Sequence, residues 1–158
     1  MPPIEGKPRR YNKKFLFGIE IDDIEVAWWS KCSEIKPEVG VVTQPEGGGI
    51  LVEENQSLGK VKWPPVTLEV GRTENDELYQ WWVLCNDSSS NTGAVDDAYK
   101  KNVAIVQKDR DGSEIGRWNL YDAFPSSYGG GEWDASAEEN VQESVVLTYR
   151  YAEWVRAA

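Results

Sequence analysis

The sequence contains no histidine. Histidine is the commonest general base, proton shuttle and metal ligand, so Ser-His-Asp, Cys-His and His-metal schemes are excluded within one chain. Cysteine occurs twice, at Cys32 and Cys85. That pair provides neither the four ligands of a structural zinc site nor the spacing of a redox CxxC motif, and it reads as two reduced thiols packed as small hydrophobes. No apolar run approaches the ~20 residues of a membrane span, and the N-terminus lacks the apolar stretch of a secretory signal. The expectation is a soluble protein made in the cytoplasm, without cofactor or metal.

What the chain does have is enough apolar residues for one core. At 158 residues and 40% hydrophobic composition, a single domain suffices. The net charge is −10, unevenly spread: Lys7, Arg9, Arg10, Lys13 and Lys14 against Glu5 give residues 1–14 a balance of +4, leaving −14 for the other 144 residues. An acidic body therefore carries a basic arm, taken as residues 1–13, ahead of a domain spanning 14–156. A body of that sign repels nucleic acid and anionic membrane, and the arm reads either as a solvated terminus or as a segment that docks on a neighbouring copy.

Period-two alternation runs through most of the chain and predicts half-buried antiparallel strands. Phe15, Phe17, Ile19 and Ile21 share one face of a first strand. Asp22-Asp23 turns into a second, from Ile24 to about Ile35. Glu38 to Glu54 alternates poorly and is broken by Gly47-Gly48-Gly49, so its register is weakly fixed and it leans on partners outside its own sheet. Val66, Leu68 and Val70 form a short strand, and Val103 and Ile105 belong to another. Asp111-Gly112 turns into Ile115 to Asp122. Val141, Val145, Leu147, Tyr149 and Tyr151 share the phase of a last strand. One helix is expected over about 74–85, with Thr73 as N-cap and Leu78, Trp81, Trp82 and Cys85 on its buried face, capping an open end of the sheet. The fold class is mainly β: an antiparallel barrel or sandwich with one short flanking helix.

Chemistry-bearing motifs are weak. Asp109-Arg110-Asp111-Gly112 lacks the later ligands of a calcium loop and reads as a hairpin turn, and Gly129-Gly130-Gly131 lacks the spacing and setting of a phosphate cradle. Among 27 acidic residues no pair stands out as a glycosidase dyad, so no enzyme is expected. Glu143 is the one charge in the apolar phase of the last strand, which predicts a buried ion pair with Arg72 or Arg117. Eight tryptophans keep a sugar-binding β-sandwich open, with Trp63, Trp133 and Trp154 as platform residues, against core or interface packing of the same rings.

Several motifs together resemble one family. Glu38 to Gly48 is similar to a glutamate-led ribbon ending in Glu-Gly-Gly, and Val66-Thr67-Leu68-Glu69-Val70-Gly71-Arg72 to a strand closing in Gly-Arg. Glu77-Leu78-Tyr79-Gln80-Trp81 resembles the short helix that follows. Arg117-Trp118-Asn119-Leu120-Tyr121-Asp122-Ala123-Phe124-Pro125 resembles an Arg-Trp strand ending in Ala-aromatic-Pro, and Glu143 to Leu147 a closing glutamate-led strand. In this order, over roughly residues 14–152, they resemble the inner tail-tube proteins of contractile phage tails and extracellular contractile injection systems, related in fold to the type VI secretion tube protein. The chain departs from the pattern with Ser33-Glu34-Ile35 in place of Ser-Gly-Leu. Its Trp28-Trp29 pair is unusual too, with Trp28 expected toward the barrel interior and Trp29 toward a neighbour.

The resemblance implies a β-barrel whose copies close six to a ring, with rings stacked into a hollow tube inside a sheath and on a baseplate, carrying DNA or a cargo protein. Val39, Val41, Thr43, Ile50, Val52 and Trp29 are then expected within the ring. Between rings the candidates are Arg9, Arg10, Glu46, Glu53, Glu54, Lys60, Lys62, Trp63, Glu138 and Glu139, the basic arm pairing with the acidic loop Glu132 to Glu139. An alternative in the same class is an initiator ring joining baseplate to tube; in another class it is the sugar-binding module.

Overall fold

The longest strand organises the rest of the chain in the computed structural model, which describes residues 11–22, 24, 29–46, 53–87, 92–93 and 99–157. In chain order the elements are β1 (Phe17–Ile21), β2 (Trp29–Cys32), β3 (Glu38–Glu46), β4 (Glu53–Lys62), β5 (Val66–Gly71), α1 (Glu77–Cys85), β6 (Asn86–Asp87), β7 (Thr92–Gly93), β8 (Lys101–Lys108), β9 (Glu114–Gly129), β10 (Gln142–Thr148) and β11 (Tyr151–Arg156). The main sheet is antiparallel, in the order β1-β8-β9-β10-β5-β2 with β11 branching from β9. β3 pairs only with β4, and β6 with β7.

β9 serves two sets of partners. Residues from Glu114 to Ala123 pair with β8, residues from Gly116 to Tyr121 also with β11, and those from Phe124 to Gly129 with β10. The bend between them is at Asp122, which adopts φ 52°, a left-handed conformation that aspartate tolerates better than bulkier residues. This is why β9 runs seven residues beyond the expected Asp122: the strand turns a corner there and continues.

The same corner splits the expected last strand. The chain from Ser144 to Arg156 follows β9 antiparallel, but breaks at Tyr149-Arg150 opposite the bend, where the Arg150 amide donates to Tyr121 O at 2.9 Å. The break shifts the alternation by one. Glu143, Val145, Leu147 and Tyr149 are buried, and beyond it Ala152 is buried while Tyr151 turns outward and stacks on Tyr121.

Other expected boundaries move as well. Phe15 lies outside β1 and is exposed. The second strand is reduced to β2 and an isolated bridge between Ile21 and Ile24, with residues 25–28 outside the described set. Glu38 to Glu54 is the first arm and part of the return arm of a hairpin. The helix begins at Glu77 with Asp76 as N-cap residue. Thr73 is not the cap: Asn75 Oδ1 accepts from the Glu77 amide at 2.9 Å, satisfying one of the helix's free N–H groups, while Thr73 Oγ1 accepts from Asn75 N.

The core follows from the alternation of these strands. Ile19 and Ile21 of β1, Val66, Leu68 and Val70 of β5, Val103 of β8, Leu120 and Ala123 of β9, and Val145 and Leu147 of β10 are buried together. Helix α1 closes this core, inserting Leu78, Trp81 and Cys85, and Trp81 Nε1 donates to Tyr99 O at 2.6 Å. Cys85 is buried and Cys32 half-buried, and burial pushes both thiols up to about 11. They remain protonated at neutral pH and behave as packing groups. Asp109-Arg110-Asp111-Gly112 forms the β8–β9 turn, closed by the Asp109 amide on Ser113 O at 2.8 Å.

After β9 the chain reverses at Gly131, at φ +97°. A Cβ there would lie 2.4 Å from Val141 Cγ1 and 2.6 Å from Gln142 O, so both the conformation and the space demand glycine. Gly131→Ala should cost about 2 kcal/mol or more, which at this chain length lowers the melting temperature by roughly 4–8 °C in calorimetry; an unchanged melting temperature would mean that the loop relaxes freely.

Candidate assembly interface

β3 and β4 pack on each other and hardly at all on any other named element. Their register places Val39 opposite Val61, Val41 opposite Leu58 and Thr43 opposite Gln56, and alternation puts these residues on one face. A register shift between Val39 and Val41 lets the backbones close up, and a Cβ on Gly59 would stand 2.8 Å from Gly40 O. The opposite face carries Glu38 with Lys62 and Val42 with Ser57. The first face is therefore apolar and open: Val41 is 63% exposed and Leu58 84%, with Val39 and Val61 also exposed. Four neighbouring apolar side chains in solvent form an interaction patch of the kind a solitary protein seldom keeps.

Three of the expected intra-ring residues, Val39, Val41 and Thr43, thus share this face. Ile50 and Val52 lie outside the described residues. Trp29 does not join them: it sits on β2 opposite Val70, half-buried against the barrel core. It packs against the subunit's own core because β2 lies beside β5, and it keeps part of its surface in solvent. Leu58 and Val61 were not among the candidates, because β4 alone reads as a polar run and only pairing with β3 brings them beside the valines. The triple glycine at 47–49, which interrupts the alternation, was the available signal in the sequence.

The expected inter-ring residues divide among several places. Arg9 and Arg10 lie outside the described residues. Glu46, Glu53 and Glu54 occupy the distal register positions of the hairpin, with Glu46 opposite Glu53 and Glu54 opposite Pro45. Lys60 and Lys62 lie nearer its base, exposed. Trp63 is half-buried at the foot of the hairpin, its ring 6.0 Å from that of Tyr149. Pro37 precedes β3, and Pro64 and Pro65 follow Trp63. Glu138 and Glu139 lie exposed on the loop between β9 and β10, with Trp133. The platform tryptophans belong to three different elements. Trp63 packs on Tyr149 and Trp154 on Trp118 at 5.7 Å, leaving Trp133 as the one that is fully open, at 76% exposure.

Glu143 is buried, at 4% exposure, as its strand phase predicts, but the expected ion pair is not formed. Arg117 is engaged elsewhere, with Glu114 Oε2 at 2.9 Å and Glu20 Oε2 at 3.2 Å, and this partner holds the Glu114 carboxyl below its ordinary value. Arg72 donates to Gly130 O at 2.8 Å. Tyr128 lies near both Arg72 and Glu143. Glu143 Oε1 has no hydrogen-bond partner. Burial, then the neighbouring Glu143, pushes the Tyr128 phenol up to about 12.

With no cation paired to it, Glu143→Gln is expected to change folding stability by less than about 1 kcal/mol in urea denaturation. The Tyr128 phenol lies above its ordinary value of 10 in the fold, so the stability it contributes is complete below pH 10 and lost as the pH rises through about 12. Phenolate absorbance should show a component near pH 12 that disappears in Tyr128→Phe.

Solved structures share this architecture at low identity. The anti-feeding prophage tube-terminating cap structure contains a chain that superposes with a TM-score of 0.82 at 19% identity, covering 99% of this chain and 100% of that one. A chain of the extended sheath-tube complex of the extracellular contractile injection system PVC gives 0.77 at 17% identity, with 93% of each covered. Hcp1 from Flavobacterium johnsoniae gives 0.56 at 14% identity, covering 89% of this chain and 94% of that one. No curated protein matches in sequence. The sequence model of one family, a family of structural tube proteins and not of enzymes, spans nearly the whole chain from the end of the basic arm to β11: this protein belongs to the T4-like virus tail tube protein gp19 family, matched over residues 13–153.

Proposed function

We propose that the chain is a structural subunit of the inner tube of a contractile tail or injection system, closing six to a ring, with rings stacked into a hollow conduit for DNA or a cargo protein. The observation that carries this reading is the β3–β4 hairpin, held off the barrel with its apolar face in solvent. A ring is a heterologous assembly in which two different surfaces of one copy meet. The main sheet offers such surfaces, since β1 and β2 are its end strands and do not pair with each other among the described residues. An unpaired strand edge is a ready template for a neighbour's backbone. Family membership supports the tube, and sheath and baseplate are then its partners in the particle, after synthesis in the cytoplasm.

Six copies at −10 would place −60 on a ring, so stacking requires unlike charges to meet locally. A second reading is a single ring that begins or ends the tube. The correspondence over the whole chain with the tube-terminating cap structure favours it in the terminating form; the form that joins baseplate to tube is the same architecture at the other end.

Negative-stain microscopy with light scattering across a concentration and salt series tests these readings. Six-fold rings that grow into tubes are expected. Closed rings that never grow would favour the end-ring reading, and a stable monomer at high concentration would overturn both. Val41→Asp combined with Leu58→Asp should raise the concentration needed for ring formation by at least about tenfold, since charge would have to be desolvated in the contact, while leaving the melting temperature of the subunit nearly unchanged. High salt should separate rings before it opens them.

A further inference from the structure

Beside the loop from β9 to β10 lies a groove of about 610 Å³. Its floor is the outer side of β5 and β10, with Glu69 and Ser144, and its wall is the loop itself, with Glu132, Trp133, Asp134 and Glu139. Both ends of the loop are fixed by Arg72, whose guanidinium donates to Gly130 O and whose backbone amide donates to Val141 O, each at 2.8 Å. Asp134 is held in a turn by the Ser136 amide at 3.0 Å and its hydroxyl at 2.7 Å. No lysine or arginine lines the groove, and none of its four carboxylates is in an ion pair among the described residues. Trp133 presents its ring to solvent and enters no aromatic pair among them.

An open indole among four uncompensated carboxylates suits a cationic, proline-bearing extended segment. Arginine or lysine can sit over the ring, proline can pack against it, and the charges complete the contact. The chain carries one such segment. Residues 1–14 hold Lys7, Arg9, Arg10, Lys13 and Lys14 with Pro2, Pro3 and Pro8, and their balance of +4 is opposite to the four acidic groups of the groove. The segment departs from the far end of β9: Tyr11 and Lys13 lie beside Lys108 and Arg110 at the β8–β9 turn, whereas the groove lies beyond Gly129. An arm leaving one end of the subunit and a groove at the other would be brought together by a head-to-tail stack of copies.

The geometry points to this groove as the receptor for the basic N-terminal arm of a second copy, a lock between successive rings with Trp133 at its centre. It rests on the stacked-tube reading for its place in the particle, but the recognition can be measured without a tube.

The test uses a fluorescently labelled peptide of residues 1–14, which contains no tryptophan, and the full-length protein at low ionic strength. Saturable binding is expected, with quenching of tryptophan fluorescence. Affinity should fall at least about tenfold in Trp133→Ala and in Glu132→Gln/Glu139→Gln, and with a peptide whose lysines and arginines are glutamine. The protein carrying Lys7→Glu, Arg9→Glu and Arg10→Glu, whose own arm cannot compete, should bind the peptide more tightly than the unaltered protein. The same variant should form rings that do not stack, and adding Glu132→Lys and Glu139→Lys should restore stacking. No saturable binding, or equal binding by the groove variants, would overturn the lock even if wild-type tubes form. Binding with the expected losses would support the groove even if no ring were seen, in which case only the tube reading fails.

Discussion

The bend in β9 at Asp122 is the constraint on which the rest of the fold depends. Without it a 16-residue strand would be one member of one flat sheet. With it, the first half pairs with β8 and β11 and the second with β10, so a single backbone joins both walls of the barrel. The energetic logic is that of a closed curve: each wall buries the inner side of the other, and the helix seals the remaining opening through Leu78 and Trp81. The corner also sets the spacing of polar features. Arg150, just past the break in the antiparallel partner, reaches Asp122 at 3.7 Å, an exposed pair that marks the corner more than it strengthens it.

Closure of the core leaves the hairpin outside it and one edge of each end strand open among the described residues. The apolar side chains of Val39, Val41, Leu58 and Val61 stand in solvent and not in the barrel core. Burying them would remove apolar surface from water without disturbing the barrel.

Much of the fold was legible in the sequence, and the failures have particular causes. Alternation located β5, β8 and β10 because each has one buried face, and three- and four-residue spacing located α1. The end of β9 was not legible, because Asp-Ala-Phe-Pro looks like a strand terminus unless a left-handed residue can carry the strand around a corner. Tyr151 was assigned to the wrong side for the same reason: a one-residue slip opposite that corner reverses the phase. The assembly face was half legible. Val39, Val41 and Thr43 alternate in plain view, whereas Leu58 and Val61 become neighbours only through register. Glu143 was correctly expected to be buried, but the two cations sought as its partners are turned to Gly130 O, in the case of Arg72, and to Glu114 and Glu20, in the case of Arg117. The groove by the β9–β10 loop could be read only as acidic, since it needs the outer side of β5 to supply Glu69.

The prolines at both feet of the hairpin have a consequence for its motion. Pro37 stands before β3, and Pro64 and Pro65 follow the half-buried Trp63. Each fixes its own backbone angle and restricts the residue before it, so the two hinges about which the hairpin could swing are among the stiffest peptide linkages available. A lever with stiff pivots samples a narrow cone. It therefore arrives at a docking surface with most of its orientational freedom already removed by covalent structure, and less entropy remains to be lost when contact is made.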